Sequence, residues 1–298
     1  MKVADAHCDT LTKFPTNPFH TEEAHWNISK FRQVGGVLQY LAIFTMPNIS
    51  GDAALSFAFN TLANFHRKKD PGTTLLKSGK DYKDDGINLL LSIEGASPVI
   101  DDLNNLHGFY KMGVRAMGLT WNHRNFAADG VDNDYGLTHF GVELVKEMES
   151  LNMIIDVSHL NENGFADVVK HTQKPFIASH SNAFAVLGHK RNLKDEQIEE
   201  IIKRGGFIGM NFYSHFIGNE GENLKLKLLK HIEHILKLGG GDVLGMGADF
   251  DGIDESPFDD VLAYKEIEIM LRNDLQLDKE LIEKIMYRNL MDYTKKSI

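Results

Sequence analysis

INLLLSIEG, residues 87–95, is a near-continuous apolar run that stops at an acid and a glycine. It is too short for an ordinary helix and lacks the polar alternate positions of a strand with one wet face, so it fits a parallel strand covered on both sides. Seven more such runs recur along the chain: KVADAHCD (2–9), GVLQYLAIF (36–44), VRAMGLTWN (114–122), MIIDVSH (153–159), PFIASHS (175–181), GFIGMNFY (206–213) and DVLGMGADF (242–250). Between them, residues 53–69, 140–151, 194–204, 223–238 and 279–294 carry apolar positions three and four apart, the helical period. Gly86, Pro98, Gly113, Pro175, Gly205-Gly206 and Gly239-Gly240-Gly241 mark the joints. There is no fixed repeat, low-complexity linker or break in composition. The pattern predicts an α/β fold, a single-domain (β/α)8 TIM barrel over residues 1–298; a doubly wound open sheet shares the same local pattern. Residues 10–35, with Pro15, Pro18 and scattered polar side chains, predict a long loop in the first unit.

Composition narrows the class of partner. Of 298 residues, 42% are hydrophobic and 25% charged, enough apolar material for a large buried core. The net charge of −10 argues against nucleic acid or an anionic membrane, which need basic surface. A single cysteine forms no internal disulfide. The longest apolar stretch, VLQYLAIFTM (37–46), falls well short of the ~18–20 residues that span a bilayer. With no apolar segment in MKVADAHCDT, the expectation is a soluble cytoplasmic protein. The helical exterior of a barrel offers faces for a homodimer, although no patch for it is legible.

In (β/α)8 barrels the chemistry sits at the C-terminal ends of the strands. The runs end, in order, with His7 and Asp9, nothing reactive on the second, then Glu94, His123, His159, His180, Tyr213 and Asp249. Each alone has a plain structural reading. Glu94 before Gly95 equally suits the dipole of a following helix, and Asp249 and Asp251 in ADFDGID suit a turn. As a set they suit a divalent metal: imidazole and carboxylate are zinc-type donors. His7 and Asp9 stand two apart and so share a strand face. Five donors, His7, Asp9, Glu94, His159 and His180, exceed one open zinc site and match two ions sharing a carboxylate. HIEHILKL (231–238) lacks the order of a zinc-protease helix and reads as an amphipathic helix, and the 239–241 glycines precede a strand, unlike a phosphate loop. In DAHCDT (5–10), alternation places Asp5 with His7 and Asp9 as support and turns Cys8 outward as a small hydrophobe.

Taken in order, DAHCDTL, SIEGASP, LTWNHRN, IIDVSHLN, IASHSNAFAVLGHKRNL, IGMNFY and GADFDGI resemble the membrane dipeptidase (renal dipeptidase) family, over nearly the whole chain. The resemblance implies a dinuclear zinc dipeptidase acting on small dipeptides, including those with a C-terminal D-residue, through a metal-bridging hydroxide. It implies two Zn2+, one on His7 and Asp9 and one on His159 and His180, bridged by Glu94. Asp249 would take the proton of the attacking water, His123 would stabilise the oxyanion, Arg191 would grip the substrate carboxylate, and Tyr213 would line the pocket. Alone, Arg191 beside Lys190 reads as a solvated loop charge. The alternatives are another metal-dependent amidohydrolase, acting on a lactone, cyclic amide or phosphoester, or a non-catalytic barrel that binds metal or peptide.

Overall fold

A computed structural model describes residues 1–298. Its strands are β1 (Val3–Asp5), β2 (Gly36–Phe44), β3 (Thr73–Leu75), β4 (Ile87–Glu94), β5 (Val114–Gly118), β6 (Ile154–Asp156), β7 (Ile177–Ala178), β8 (Phe207–Met210) and β9 (Leu244–Met246). All pairings are parallel, in the order β2-β1-β9-β8-β7-β6-β5-β4-β3, and an added β2–β4 pairing closes eight strands into a ring. This is the (β/α)8 barrel that the sequence predicts. β3 lies outside the ring. It pairs with residues 87–89 of β4, and β5 takes over that edge from Leu91 onward. Short and partly polar (TTL), β3 gives no strand signal in the sequence.

The five expected helices are present, at Gly51–Lys68, His139–Ser150, Asp195–Arg204, Leu224–Lys237 and from Lys279 to the C-terminus. The last passes through a π turn at Lys284–Arg288 before ending at Ser297. Helices at Leu103–Lys111, Glu162–His171 and Tyr264–Asn273 complete the outer layer. Residues 10–35 are mostly turns, with short helices only at Thr10–Lys13 and Ile28–Gln33.

The apolar residues separate into two layers. A cluster of 64 buried residues joins the outward faces of the strands to the helices. A second cluster, of 13, draws Ala4, Leu38, Leu90, Ala116, Ile154, Ile177 and Phe207 from seven strands. Side chains from strands all round a ring meet only inside it, so this cluster fills the barrel's lower interior. Leu290 and Tyr293 of the C-terminal helix belong to it and stopper the bottom. The lower barrel is therefore solid, and the open end is the rim where the strands finish.

Strict alternation does not survive along the first strand. Ala4 and Ala6 join the interior cluster, whereas Cys8 joins the outer one. Regular β1 ends at Asp5, and its register against β2 shifts between Val3 and Ala4. Cys8 is fully buried, as expected of an inert small hydrophobe.

Candidate metal centre and substrate cleft

The chain beyond β1 is held by Asp5. Its buried carboxylate accepts hydrogen bonds from the His7 N–H at 2.9 Å, the Ala248 N–H at 2.9 Å, the Gln39 amide at 2.8 Å and the Tyr264 hydroxyl. Asp5 thus ties the β1 end to the β9 end, and these carry His7, Asp9 and Asp249. Across β2 from β1, β4 delivers Glu94 at its last residue, in register with Phe44 of β2.

Five donors converge. His7 Nε2 lies 3.2 Å from Asp9 Oδ2 and 3.4 Å from Glu94 Oε2. The other Glu94 oxygen, Oε1, lies 2.9 Å from His159 Nε2 and 3.7 Å from His180 Nε2. Glu94 therefore extends one oxygen toward each of two donor groups. His7, Asp9 and Asp249 form one group whose ligand atoms fall within 4.8 Å of each other, and Glu94, His159 and His180 form another. Asp249 Oδ1 is 3.8 Å from His7 Nε2, and its Oδ2 accepts the Asn211 amide at 3.0 Å. A Cβ at residue 252 would overlap both Asp9 Oδ2 and Asp249 Oδ1, so Gly252 keeps this space clear.

The histidines are aimed from behind. His159 Nδ1 donates to Asn122 Oδ1 at 2.8 Å. His180 Nδ1 donates to Ser179 Oγ at 2.7 Å, and Ser179 donates in turn to Asp156. A neutral imidazole that donates from Nδ1 carries a bare lone pair on Nε2. Those two Nε2 atoms face each other at 2.9 Å. Two lone pairs at that distance repel unless a cation lies between them, and Asp9 Oδ1 is buried with no partner. By donor type, convergence and the unpaired oxygen, the residues fit a metal centre. A third grouping of His7, Asp156 and His180 is also close. Asp156, however, already accepts from Ser158 N, Ser179 N and the Ser179 hydroxyl, so it supports the ligands from behind.

Backbone strain collects here. His159, Asp249 and Asp251 have φ of 67°, 65° and 67°, the left-handed region that costs a non-glycine residue about 1–3 kcal/mol. Protonation is displaced as well. Burial opposes a charge on His7, but Glu94 and Asp9 outweigh it and raise its pKa well above the usual imidazole range. Burial, assisted by Arg191, lowers His159 to about 4; burial and the charge on His7 also lower His180 well below the usual imidazole range. Burial also raises Asp9 and Asp249, each assisted by neighbouring carboxylates. For Glu94, burial acts upward and the His7 charge wins, holding the carboxylate ionised.

Above the cluster opens a cleft of about 880 Å³ whose walls include Asp9, Glu94, His159, Asp249, Arg191 and Tyr213. Arg191 is 4% exposed. One Nη reaches the His180 carbonyl at 3.4 Å, and Nε has no partner. Burial lowers its pKa to about 10, still fully charged at neutral pH. Tyr213 is partly exposed, edge-on to Phe216 at 4.8 Å. His123 lies apart from the converging set. β5 ends at Gly118, five residues before it, and its exposed ring pairs with Asp132 at 3.1 Å. From that loop Trp121 and Asn122 line the cleft.

Asn122, Ser179, Asp156 and Asn211 were not among the sequence candidates, nor was Trp121. All lie inside the quoted motifs, within three residues of the histidine or tyrosine that drew attention. The only sequence signal for them is that adjacency, because amides and hydroxyls serve many structural roles.

A closed parallel barrel with His, Asp and Glu donors at its open rim, under a cleft walled by a free arginine, is the architecture of a metal-dependent hydrolase. The description of the membrane dipeptidase family (peptidase family M19) matches residues 1–297, and the chain belongs to that family of metal-dependent dipeptidases. It is 33% identical over 220 residues to an uncharacterized protein in the pqqA 5′ region of Klebsiella pneumoniae, covering 70% of this chain and 81% of that one. It is 33% identical over 221 residues to an uncharacterized dipeptidase of Schizosaccharomyces pombe, covering 71% of this chain and 53% of that one. Among solved structures, a metallo peptidase of Rhodobacter sphaeroides carrying a phosphinate mimic of L-Ala-D-Ala superposes with a TM-score of 0.92 at 25% identity, covering 100% and 99% of the two chains. A second metallo dipeptidase, dipeptidase AC, gives 0.92 at 27% identity over 100% and 98%. No helix is long and apolar enough to cross a membrane.

Proposed function

We propose that the chain is a dinuclear zinc dipeptidase that cleaves the one peptide bond of a free dipeptide, with tolerance for a D-residue at the C-terminal position. The observation that carries this reading is a buried arginine, its terminal nitrogens making only one hydrogen bond of 3.4 Å, in the same cleft as the five-donor cluster. An uncompensated guanidinium beside a metal centre suits a substrate that ends in a carboxylate close to the bond being cut.

His7 and Asp9 would hold one ion, His159 and His180 the other, with Glu94 presenting an oxygen to each. When bound, such ions polarise the peptide carbonyl and lower the pKa of an attacking water. The remaining work belongs to the chain. Arg191 fixes the C-terminal carboxylate, which places the scissile carbonyl over the donor cluster. Asp249, oriented by Asn211, takes the proton released as water attacks the carbonyl carbon. It returns that proton to the leaving nitrogen as the C–N bond breaks, yielding a free acid and a free amine. The role expected of His123, a donor to the developing oxyanion, would fall to its Nε2, since Nδ1 is held by Asp132. Tolerance of a D-residue is supported by the L-Ala-D-Ala mimic bound to the Rhodobacter relative.

The test pairs metal analysis with a substrate series. Protein with about two zinc ions per chain should cleave L-Ala-L-Ala and L-Ala-D-Ala, lose activity on chelation and recover it with zinc. The C-terminal amides should be poor substrates. Undiminished cleavage after chelation would sink the metal chemistry, and equal cleavage of the amides would sink the carboxylate grip.

A further inference from the structure

A second cavity, of about 460 Å³, adjoins the cleft between the loops that follow β6 and β7. His159, Lys190 and Arg191 line both spaces. The cavity is walled mainly by polar side chains, including Asn133, Asn161, Asn163 and Gln197. Three of the residues that line it carry a buried atom without a hydrogen-bond partner: Ser181 Oγ, Arg191 Nε and Asn192 Oδ1. These residues are 1%, 4% and 5% exposed. Leaving a buried polar atom unpaired costs about 1–3 kcal/mol, and three of the nine such atoms belong to residues around this one cavity. Two of the three are donors and one is an acceptor. The cleft wall beyond the metal donors is different, with Phe44, Met46, Phe57 and Trp121.

We infer that this cavity receives the side chain of the substrate's C-terminal residue and selects one ending in a carboxylate or carboxamide. The inference rests on the dipeptidase reading. If Arg191 holds the α-carboxylate, the attached Cα lies one bond away, and its side chain emerges beside Arg191, where the cavity begins. A carbonyl oxygen at the end of that side chain accepts from Ser181 Oγ–H and Arg191 Nε–H. A carboxamide also offers a donor to Asn192 Oδ1. An aliphatic side chain of the same length leaves all three unpaired. The N-terminal residue would lie against the aromatic and methionine wall.

The experiment measures kcat/KM of the zinc-loaded enzyme on Ala-Glu, Ala-Gln and Ala-Met, each with an L- and a D-residue at the C-terminal position. Both Glu and Gln should exceed Met by about tenfold or more in the preferred stereochemistry, the scale of one or two buried hydrogen bonds. Ser181→Ala should reduce that preference by about fivefold, while Ser181→Thr keeps it. Equal or better cleavage of Ala-Met by the wild-type enzyme overturns the pocket and leaves the dipeptidase reading intact. No cleavage of any dipeptide overturns the reading beneath it. A Ser181→Ala enzyme slowed equally on all three also overturns it, because Ser181 would then be merely structural.

Discussion

Arg115 and Arg191 are both buried, at 6% and 4% exposure, at opposite ends of the barrel. Arg115, near the start of β5, donates to the carbonyls of Lys77, Tyr110 and Val114, each at 2.7 Å, and its guanidinium stacks on the Tyr110 ring at 3.8 Å. Arg191, past the end of β7, has one long bond and a free Nε. The acids repeat the contrast. Asp5 receives four donors, whereas Asp249 receives one amide. In both pairs the fully partnered group belongs to the frame of the fold, and the under-partnered one stands at the rim beside the donor cluster. Burial is alike within each pair; the number of partners differs.

The sharpest way to break the contrast is at the acids. Asp249→Asn keeps the shape and the Asn211 contact but removes the proton acceptor. We expect kcat to fall by about 10²- to 10⁴-fold, the range for a general base, with zinc content and thermal midpoint close to wild type. Loss of metal on this substitution would make Asp249 a ligand instead. The arginines come next. Arg191→Met should raise KM for dipeptides by about 10²-fold, as expected for a lost charge-assisted pair, and should leave stability unchanged or higher. Arg115→Met takes the donor from three carbonyls, that of Val114 buried and those of Lys77 and Tyr110 partly so, and should cost about 2 kcal/mol on urea unfolding, with KM unmoved. Equal effects of both substitutions on stability would refute the distinction between the two ends.

Much of this was legible in the sequence, and the gaps have physical causes. The ring of eight strands was legible because continuous apolar runs belong to doubly covered parallel strands. The convergence of His7, Asp9, Glu94, His159 and His180 was legible because a barrel brings every strand end to one rim. The placement of His123 was less so. A strand run reads on through Leu119 and Trp121, while hydrogen bonding in β5 stops at Gly118, and five further residues let the ring turn to Asp132. The left-handed backbone at His159 and Asp249 leaves no trace in residue type, since neither is a glycine. Nor does the second cavity, which depends on how loops 131–134, 160–163 and 184–194 fold over one another.

Finer tests concern groups that aim the ligands. Asn122→Ala removes the acceptor that fixes the His159 tautomer but touches no ligand atom itself. Zinc affinity should fall by about 10- to 100-fold, the usual cost of losing such a partner. A competition titration against a chromogenic chelator measures it. An unchanged affinity would mean that the strained backbone alone orients His159.

His231 carries the comparison over to the histidines. His159 and His180 each have Nδ1 anchored and Nε2 turned into the donor cluster, whereas His231 uses both nitrogens to hold backbone. Its Nδ1 accepts the Ala183 N–H at 3.0 Å, and its Nε2 donates to the Ile217 carbonyl at 2.9 Å. It thereby joins the loop leading to Arg191 with the short helix behind Tyr213. Burial lowers its pKa to about 4, against 6.5 for an unburied imidazole. Between those values the unfolded chain binds a proton that the native fold refuses. The stability His231 contributes is therefore complete above about pH 6.5 and is lost as pH falls toward about 4, by at most ~3 kcal/mol. His231→Gln cannot take up that proton in either state. The variant should be less stable than wild type near pH 7.5, and the gap should narrow as pH drops to about 4.5. Comparing the two proteins cancels the carboxylate titrations they share. A gap that stays constant over this range would show that the bracket does not depend on a neutral imidazole.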